Sequence, residues 1–447
     1  MMKILLATYW SFPHTGGIST YLKALKSGLE SMGHQVDVFA HGPQKRSLRL
    51  SDGSFHFQKA AFAARVRHSV EAYCRRHAPR ATRFMRGREV ERYTMELAAS
   101  RLDLSRYDVI HTQDVIATCA LARVRPRHVP VVATIHSPLV RETQLGTTLD
   151  RFARQYTALE EKLGLISAQR IILPSQWLKR TLVRDYRLSP NAFVVIHNGV
   201  DVAHYHQLAT QPPLRVPPPR RRPVILCPAR LTRVKGQDYL LSALAILARR
   251  RRGFVCWLAG NGPGRRRLKD QARRLRLGDR VAFLGARKDI PALLPLADVV
   301  VLPSLMEGGL PYAVQEAQLA GKPVVASRVG SVAEIVEEGV TGLLVPPRNP
   351  AALASAIDRL LGSENLRLKL GTTAKARAAD RWNAERMTRE TLAVYEQVLG
   401  SKQTFAEGGT GGAENSFPPA AGAFGRPAGH QADVSCSGYA AAGVPDS

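Results

Sequence analysis

Acidic residues are scarce in this chain. Over 447 residues it carries 36 Asp+Glu against 64 Lys+Arg, a formal net charge of +28. Such an imbalance does not select a fold, but it favours anionic partners such as nucleotide phosphates, an acidic membrane surface or nucleic acid. Aromatic residues are also few, at 6%, and no DNA- or RNA-reading motif is visible, which argues against specific nucleic-acid recognition. The five cysteines (Cys74, Cys119, Cys227, Cys256 and Cys436) are scattered, with no C-x-x-C pair and no histidine at zinc-ligand spacing. Such a set fits thiols in a reducing cytoplasm and not a disulfide framework. No apolar run approaches the roughly 20 residues needed to cross a bilayer. The apolar opening, Met1 to Thr8, stops at Tyr9 and reads as a first strand, not a signal peptide. The expectation is a cytoplasmic protein, soluble or peripheral on the inner face of the membrane.

What is present is a two-domain α/β pattern. The length suits two cores of ordinary size. Short β-branched runs alternate with segments of helical period. Ile110 ends one such run, and others are Val131–Thr134, Ile171–Leu173, Val224–Leu226, Val299–Leu302 and Val324–Ala326. Runs apolar on both faces suit parallel strands between helix layers, and their alternation with helices implies right-handed βαβ units. A proline-rich stretch from Gln211 to Pro223 can neither continue a helix nor sit inside a sheet. The chain therefore divides into a Rossmann-like domain over residues 1–206, a linker over 207–222 and a second Rossmann-like domain over 223–380. A helix follows over 381–400. Residues 401–447, rich in Gly, Ala, Pro and Ser, have little to bury and read as a disordered tail.

The first domain holds a dense run of arginine (Arg65, Arg67, Arg75, Arg76, Arg80, Arg83, Arg86, Arg88 and Arg92). It reads either as a solvated helical face or as a patch for acidic lipid headgroups or an anionic acceptor. Anion chemistry is expected where strands end in glycine-rich turns. The first strand leads into Thr15-Gly16-Gly17-Ile18-Ser19 and a helical pattern that Gly33 stops. The strand at Val224–Ala229 runs into Arg230 and Lys235, a planar fork and a point charge able to reach one diphosphate from two sides. The strand at Val299–Pro303 leads through Glu307-Gly308-Gly309-Leu310-Pro311 into a helix carrying Glu316. Carboxylates at both ends of that element can accept hydrogen bonds from sugar and ribose hydroxyls.

Taken together with Thr134-Ile135-His136-Ser137, Pro174-Ser175, His197-Asn198-Gly199-Val200-Asp201, Lys235-Gly236 and Ala259-Gly260-Asn261-Gly262-Pro263, these stretches follow one family's order and separation. Over about residues 1–399 the chain resembles the family-4 retaining glycosyltransferases of the GT-B fold, in which two Rossmann-like domains face each other across a cleft. The resemblance implies transfer of a hexosyl group from a nucleotide sugar to a glycan or lipid-linked acceptor. It implies that Arg230 and Lys235 hold the donor diphosphate, Glu307 and His136 contact the transferred sugar, and Glu316 contacts the ribose. Gly16 and Gly17 lie near the donor phosphates; Gly260, Gly262, Arg287, Gly308, Gly309 and Leu310 complete the donor set. Asn198 to Asp201 fall at the domain junction, and the last helix crosses back onto the first domain. No D-x-D pair occurs, so neither a metal nor another cofactor is expected, and basic residues with helix dipoles do the electrostatic work.

Two positions depart from the family pattern. Eight residues separate Glu307 from Glu316, where the family has seven. The match downstream of Glu316 is ungapped, which places the extra residue at Gly308 or Gly309. Asn261 stands where the family commonly has an acid. The alternatives are an inactive GT-B scaffold, an anion- or nucleic-acid-binding protein, or a nucleotide-sugar epimerase. An epimerase needs acid/base carboxylates in the first domain's cleft, and the sequence shows no such cluster.

Overall fold

The computed structural model describes residues 1–14, 16–146, 149–214, 216, 222–251 and 253–407. One sheet comprises β1 (Lys3–Ser11), β2 (Gln35–His41), β3 (Ser47–Leu50), β4 (His56–Gln58), β5 (Val109–Thr112), β6 (Val131–Thr134), β7 (Arg170–Leu173) and β8 (Phe193–Val195), in the order β4-β3-β2-β1-β5-β6-β7-β8. The other comprises β9 (Val224–Pro228), β10 (Val255–Ala259), β11 (Val281–Gly285), β12 (Val299–Leu302), β13 (Val324–Ser327) and β14 (Gly342–Val345), in the order β11-β10-β9-β12-β13-β14. Every strand pair of the second sheet is parallel. The first sheet adds an antiparallel edge, β2–β3–β4, which the reading of strand-helix alternation did not include.

The strand order places the chemistry. In each sheet the order reverses direction at one point, between β1 and β5 and between β9 and β12. The two helices that leave such a point run to opposite faces, so a crevice opens beyond the strand ends. Residues after β1, β9 and β12 therefore border crevices, and they include Gly16, Arg230 and Glu307.

The strands are as apolar as parallel burial requires. All four residues of β12 are buried, with Val299 and Val301 on one side of the sheet and Val300 and Leu302 on the other. The helix Gly17–Ser31 starts at the Gly-Gly turn and stops before Gly33, which takes a left-handed φ of 85°. The final helix, Ala384–Glu407, belongs to the first domain's core: Met387, Val394, Tyr395 and Val398 pack with Ile4, Leu22 and Leu25. Buried His111 bridges Tyr395 Oη (2.6 Å) and Thr134 Oγ1 (2.7 Å), pinning that helix to β5 and β6.

Several boundaries differ from the sequence reading. Ile110 lies inside β5, which continues through His111 and Thr112; both are polar, but buried. β1 runs three residues past Thr8, to Ser11, because the ladder resumes at Ser11 opposite His41 after a shift of register across Tyr9 and Trp10. The helix Val202–Ala209 enters the stretch assigned to the linker, of which Arg215 and residues 217–221 lie outside the described residues. The last helix extends to Glu407, into the stretch read as a tail; Thr15 and residues 408–447, with Cys436, are not among the described residues. The arginine run splits in two. Arg65, Arg67, Arg75, Arg76, Arg80 and Arg83 are exposed, whereas Arg92 is buried on Glu89 and Glu96, and Arg88 pairs with Glu160. The Arg92 pairs lie within the helix Arg83–Ala99 and the Arg88 pair joins it to the helix Arg151–Ile166, so these are structural ties and not a ligand surface.

Candidate functional site

At the end of β9 the chain turns sharply, because Gly236 adopts φ 64° and presses on β12: a Cβ there would lie 2.0 Å from the Pro303 carbonyl. The same closeness recurs at Gly260, against Ala229, and at Gly330, against the Glu307 carbonyl. Only glycine fits such backbone approaches. Their effect is to bring Lys235 to the loop after β12. Lys235 Nζ donates to Glu307 Oε1 at 2.6 Å, and Ser304 Oγ donates to the same oxygen at 2.6 Å. Glu307 is 6% exposed, so this charge is held in a paired, largely desolvated geometry. Arg230 is exposed at the strand end and makes no ion pair among the described residues. Beside it, the turn Gly260–Pro263 and the helix Arg265–Arg274 border an open concavity of about 700 Å³. Asn261 caps that turn by accepting from Gly262 N at 3.0 Å.

Gly308 and Gly309 form the turn ahead of the helix Tyr312–Leu319, and both meet the first domain. A Cβ on Gly308 would lie 2.5 Å from Ser137 Cα, and one on Gly309 2.7 Å from Pro174 Cγ. The turn's carbonyls are taken up from both sides: Ser175 Oγ donates to Gly308 O (2.6 Å), Ser331 Oγ to Gly309 O (2.7 Å) and Asn198 Nδ2 to Leu310 O (3.2 Å). Glu334 completes the contact. Its carboxylate accepts from the backbone N–H groups of Gln176 and Trp177, at 3.0 and 2.5 Å, at the start of the helix Gln176–Tyr186.

Facing this across the cleft, Gly17 at the start of its helix lies near the Tyr312 ring. His136 stacks edge-on against Tyr21, and its Nε2 donates to Gln113 Oε1 at 3.1 Å. Burial lowers the His136 pKa to about 4, which keeps the ring neutral and able to accept a hydrogen bond. Burial acts oppositely on Glu316, raising its carboxyl to about 7. Among the described residues no hydrogen-bond partner occupies that carboxyl.

Contacts tie Lys235 to Glu307, Gly308 to the His136–Ser137 backbone, Gly260 to the Ala229–Arg230 backbone and Gly262 to Leu231. Gly16 and Gly17 open the helix whose start meets Tyr312, and Gly309, Leu310 and Glu316 follow Gly308 on the same loop and helix. Arg287 is placed differently. Its guanidinium is held by Asp289 (2.8 and 2.6 Å) and by the Leu214 carbonyl (2.9 Å), which ties the linker to the second domain. No role was assigned from sequence to Ser304, Ser175, Ser331, Gln113 or Glu334. Ser304 and Ser175 sit inside recognised motifs, but Ser331, Gln113 and Glu334 act through elements distant in the chain. Among the described residues no group of three or more His, Cys, Asp or Glu side chains converges.

Comparison with known proteins agrees with this geometry. The sequence profile of the glycosyl transferases group 1 matches residues 215–377, and that of Glycosyltransferase Family 4 matches residues 15–204. The chain is 30% identical, over 66% of its length and 70% of the relative's, to a D-inositol 3-phosphate glycosyltransferase of Saccharomonospora viridis. It is 28% identical, over 89% of its length and 98% of the relative's, to an MMP alpha-(1->4)-mannosyltransferase of Mycolicibacterium hassiacum. Its fold matches that of Anabaena Alr3699/HepE in complex with UDP-glucose, with a TM-score of 0.61 at 22% identity, over 90% of this chain and all of that one (100%). With two parallel-sheet domains meeting at these strand ends, the chain is a GT-B protein and belongs to the group 1, family-4 glycosyltransferases.

Proposed function

We propose that this glycosyltransferase moves a hexosyl group from a nucleoside diphosphate sugar to an acceptor hydroxyl with retention of anomeric configuration and without a metal. The observation that carries the reading is the placement after one strand, β9, of two cations: exposed Arg230, without an ion pair among the described residues, and Lys235, anchored on Glu307 and Ser304. Two cations converge where a diphosphate must leave, and the start of the helix at Gly17 adds a third source of positive potential. The Anabaena neighbour was crystallised in complex with UDP-glucose, in keeping with such a donor.

Each residue then has a task. Arg230 and Lys235 hold the diphosphate and stabilise the charge that grows as the bond from sugar C1 to phosphate oxygen breaks. Glu307 orients Lys235 and borders the transferred sugar. His136, neutral, accepts from a sugar hydroxyl. Glu316 accepts from the ribose hydroxyls, and backbone groups around Gly285–Lys288 read the base. The acceptor oxygen attacks C1 from the face the diphosphate leaves, and its proton passes to the departing phosphate oxygen. The Gly308–Gly309 turn, docked on Ser137 and Pro174, excludes water from that face and limits donor hydrolysis.

The acceptor is a cell-envelope, polysaccharide or lipid-linked glycan met at the cytoplasmic membrane face. The exposed arginines from Arg65 to Arg83 support this, since a basic face attracts anionic lipid. Among the described residues no helix is long and apolar enough to cross a membrane. Loss of co-sedimentation with anionic vesicles at physiological salt would remove the membrane part of this reading.

The decisive test of the donor site is a thermal-shift panel of nucleoside diphosphates and nucleotide sugars on the wild type, Arg230→Ala and Glu316→Ala. Stabilisation by one base, lost in both variants, is expected by linkage. Stabilisation by none of them would overturn the proposal.

A further inference from the structure

Beyond the ends of β1 and β2 lies a second group of side chains that the donor site does not use. In the turn Pro43–Lys45, Gln44 and Lys45 both adopt left-handed φ, 59° and 56°. Non-glycine residues hold that conformation only where their surroundings impose it. Its result is to set the Lys45 ammonium over two rings, 3.8 Å from the centre of Tyr9 and 4.6 Å from that of Trp10. Tyr9 and Trp10 meet edge to face, and the indole is 39% exposed, one of the few large apolar groups left open to solvent.

Among the described residues no carboxylate pairs with this ammonium. The acids that face it are Glu91 and Asp114, and both are committed elsewhere. Glu91 Oε2 takes Lys59 Nζ at 2.7 Å, with buried His41 behind it at 3.9 Å. Asp114 accepts from Tyr9 N, Thr8 Oγ1 and Ala117 N at 2.8 to 2.9 Å, which leaves its oxygens spent on the backbone and on the start of the next helix. Near enough to feel the Lys45 charge stands His14, whose Nδ1 is buried with no hydrogen-bond partner among the described residues. Burial disfavours protonation of that ring, as do the nearby charges of Arg230, Lys45 and Lys23, against a hydrogen bond to the Ser11 backbone that favours it. Three cations from three separate elements therefore raise the positive potential at one imidazole. One of them, Arg230, comes from the opposite domain, so this group and the residues assigned to the donor diphosphate feel one another's charge.

A half-buried ammonium beside an open indole, with surplus positive charge and an orphaned ring nitrogen, matches one ligand chemistry. An apolar sugar face stacks on Trp10, and an anion satisfies Lys45 and His14. We propose that Tyr9, Trp10, His14 and Lys45 form an acceptor subsite for a sugar or polyol that carries an anionic group, either a phosphate ester or a carboxylate. The proposal rests on the transferase reading and narrows its acceptor class. Neutral acceptors are disfavoured because they desolvate Lys45 without replacing its water by an anion.

The test uses the full chain with its donor site filled by the nucleotide that the thermal-shift panel selects. Tryptophan emission is followed during titration with glycerol 3-phosphate, glucuronate, glycerol and glucose. A saturable response to glycerol 3-phosphate or glucuronate is expected, with none to glycerol or glucose. Which of the two anions responds separates phosphate from carboxylate. Lys45→Met weakens the response at least about tenfold, as loss of a charge-assisted bond predicts, and Lys45→Arg keeps it. Trp10→Phe removes the optical signal, which identifies the reporter. Nucleotide stabilisation of each variant shows that it is folded. No saturable response to either anion, or equal affinity in wild type and Lys45→Met, overturns the subsite. Should no nucleotide bind while glycerol 3-phosphate still binds through Lys45, the donor reading falls and the anion site stands.

Discussion

The two sides of the cleft are built by different means. On the second domain, the groups assigned to the donor are positioned by backbone touching backbone. Gly236 lies on Pro303, Gly260 on Ala229 and Gly330 on Glu307, each so close that a Cβ would fall within 2.0 Å of a carbonyl oxygen. On the first domain, the cleft is shaped by buried and half-buried polar side chains: Tyr9, His41, Lys59, Glu91, Asp114, His111 and His136. A backbone-built site tolerates little change, because moving it means moving strands. A side-chain-built site can be altered one residue at a time without disturbing the sheet. This contrast suits a protein whose donor chemistry is common to a family and whose acceptor is its own.

Breaking the donor side electrostatically has the largest expected effect. Arg230→Ala is expected to cut transfer about 10²–10³-fold, the usual consequence of removing one preorganised charge-stabilising group. Its melting temperature should stay unchanged, since Arg230 is exposed and makes no ion pair among the described residues. Steady-state kinetics and thermal melts check both halves of that statement.

Breaking the same side sterically comes next. Gly236→Ala combines a left-handed φ with a clash against Pro303 and is expected to cost about 2–4 kcal/mol. Gly33→Ala, at φ 85° with nothing within 4 Å, is the control and should cost about 1 kcal/mol. Urea midpoints that show equal losses would mean that conformation, and not close approach, is what demands glycine at position 236.

The joint between the two sides offers a smaller effect. Glu334→Ala removes a carboxylate that caps a helix of the opposite domain and should cost about 1–2 kcal/mol. Because that energy favours closure, the expected signs are a raised KM and a larger radius of gyration in solution scattering. An unchanged radius together with unchanged KM would remove Glu334 from the closing contact.

The smallest effect sharpens the comparison by pH. Burial raises the folded pKa of Glu316 to about 7, above the ordinary carboxyl value of about 4.3. Its protonated form is thus favoured by the fold. The associated stability is fully present below the unfolded pKa and is lost as pH rises through 7. Nucleotide affinity should move the other way, tightening as the carboxylate forms and can accept from ribose. In Glu316→Gln both slopes across that window should flatten. A wild-type affinity independent of pH between 5 and 8 would refute the ribose contact.

Legibility in the sequence followed the same divide. Gly16, Gly236, Gly260 and the Glu307–Pro311 turn could be read because each need is local: a strand end, a tight turn, a helix start. The extra glycine in that turn could also be placed, ahead of the helix that starts at Tyr312. By contrast, Arg287 carries no local mark of its tie to Leu214, and nothing near Glu334 announces a helix of the other domain. Arg88 and Arg92 look like their exposed neighbours until helix packing turns them inward onto Glu160 and Glu89.

The sequence by itself determined the doubly wound sheets and the positions of the glycine turns, because periodicity and backbone conformation are short-range properties, and its motifs, in their order and separation, carried the resemblance to the family. Only the tertiary structure decided which charges are satisfied and which are free. Lys235 is anchored, Arg230 and Lys45 have no carboxylate partner among the described residues, and Arg287 is committed. Those states depend on contacts that the fold makes, such as distant Glu307 for Lys235 and Asp289 with the distant Leu214 carbonyl for Arg287, and on burial, which sets the cost of leaving a charge unpaired.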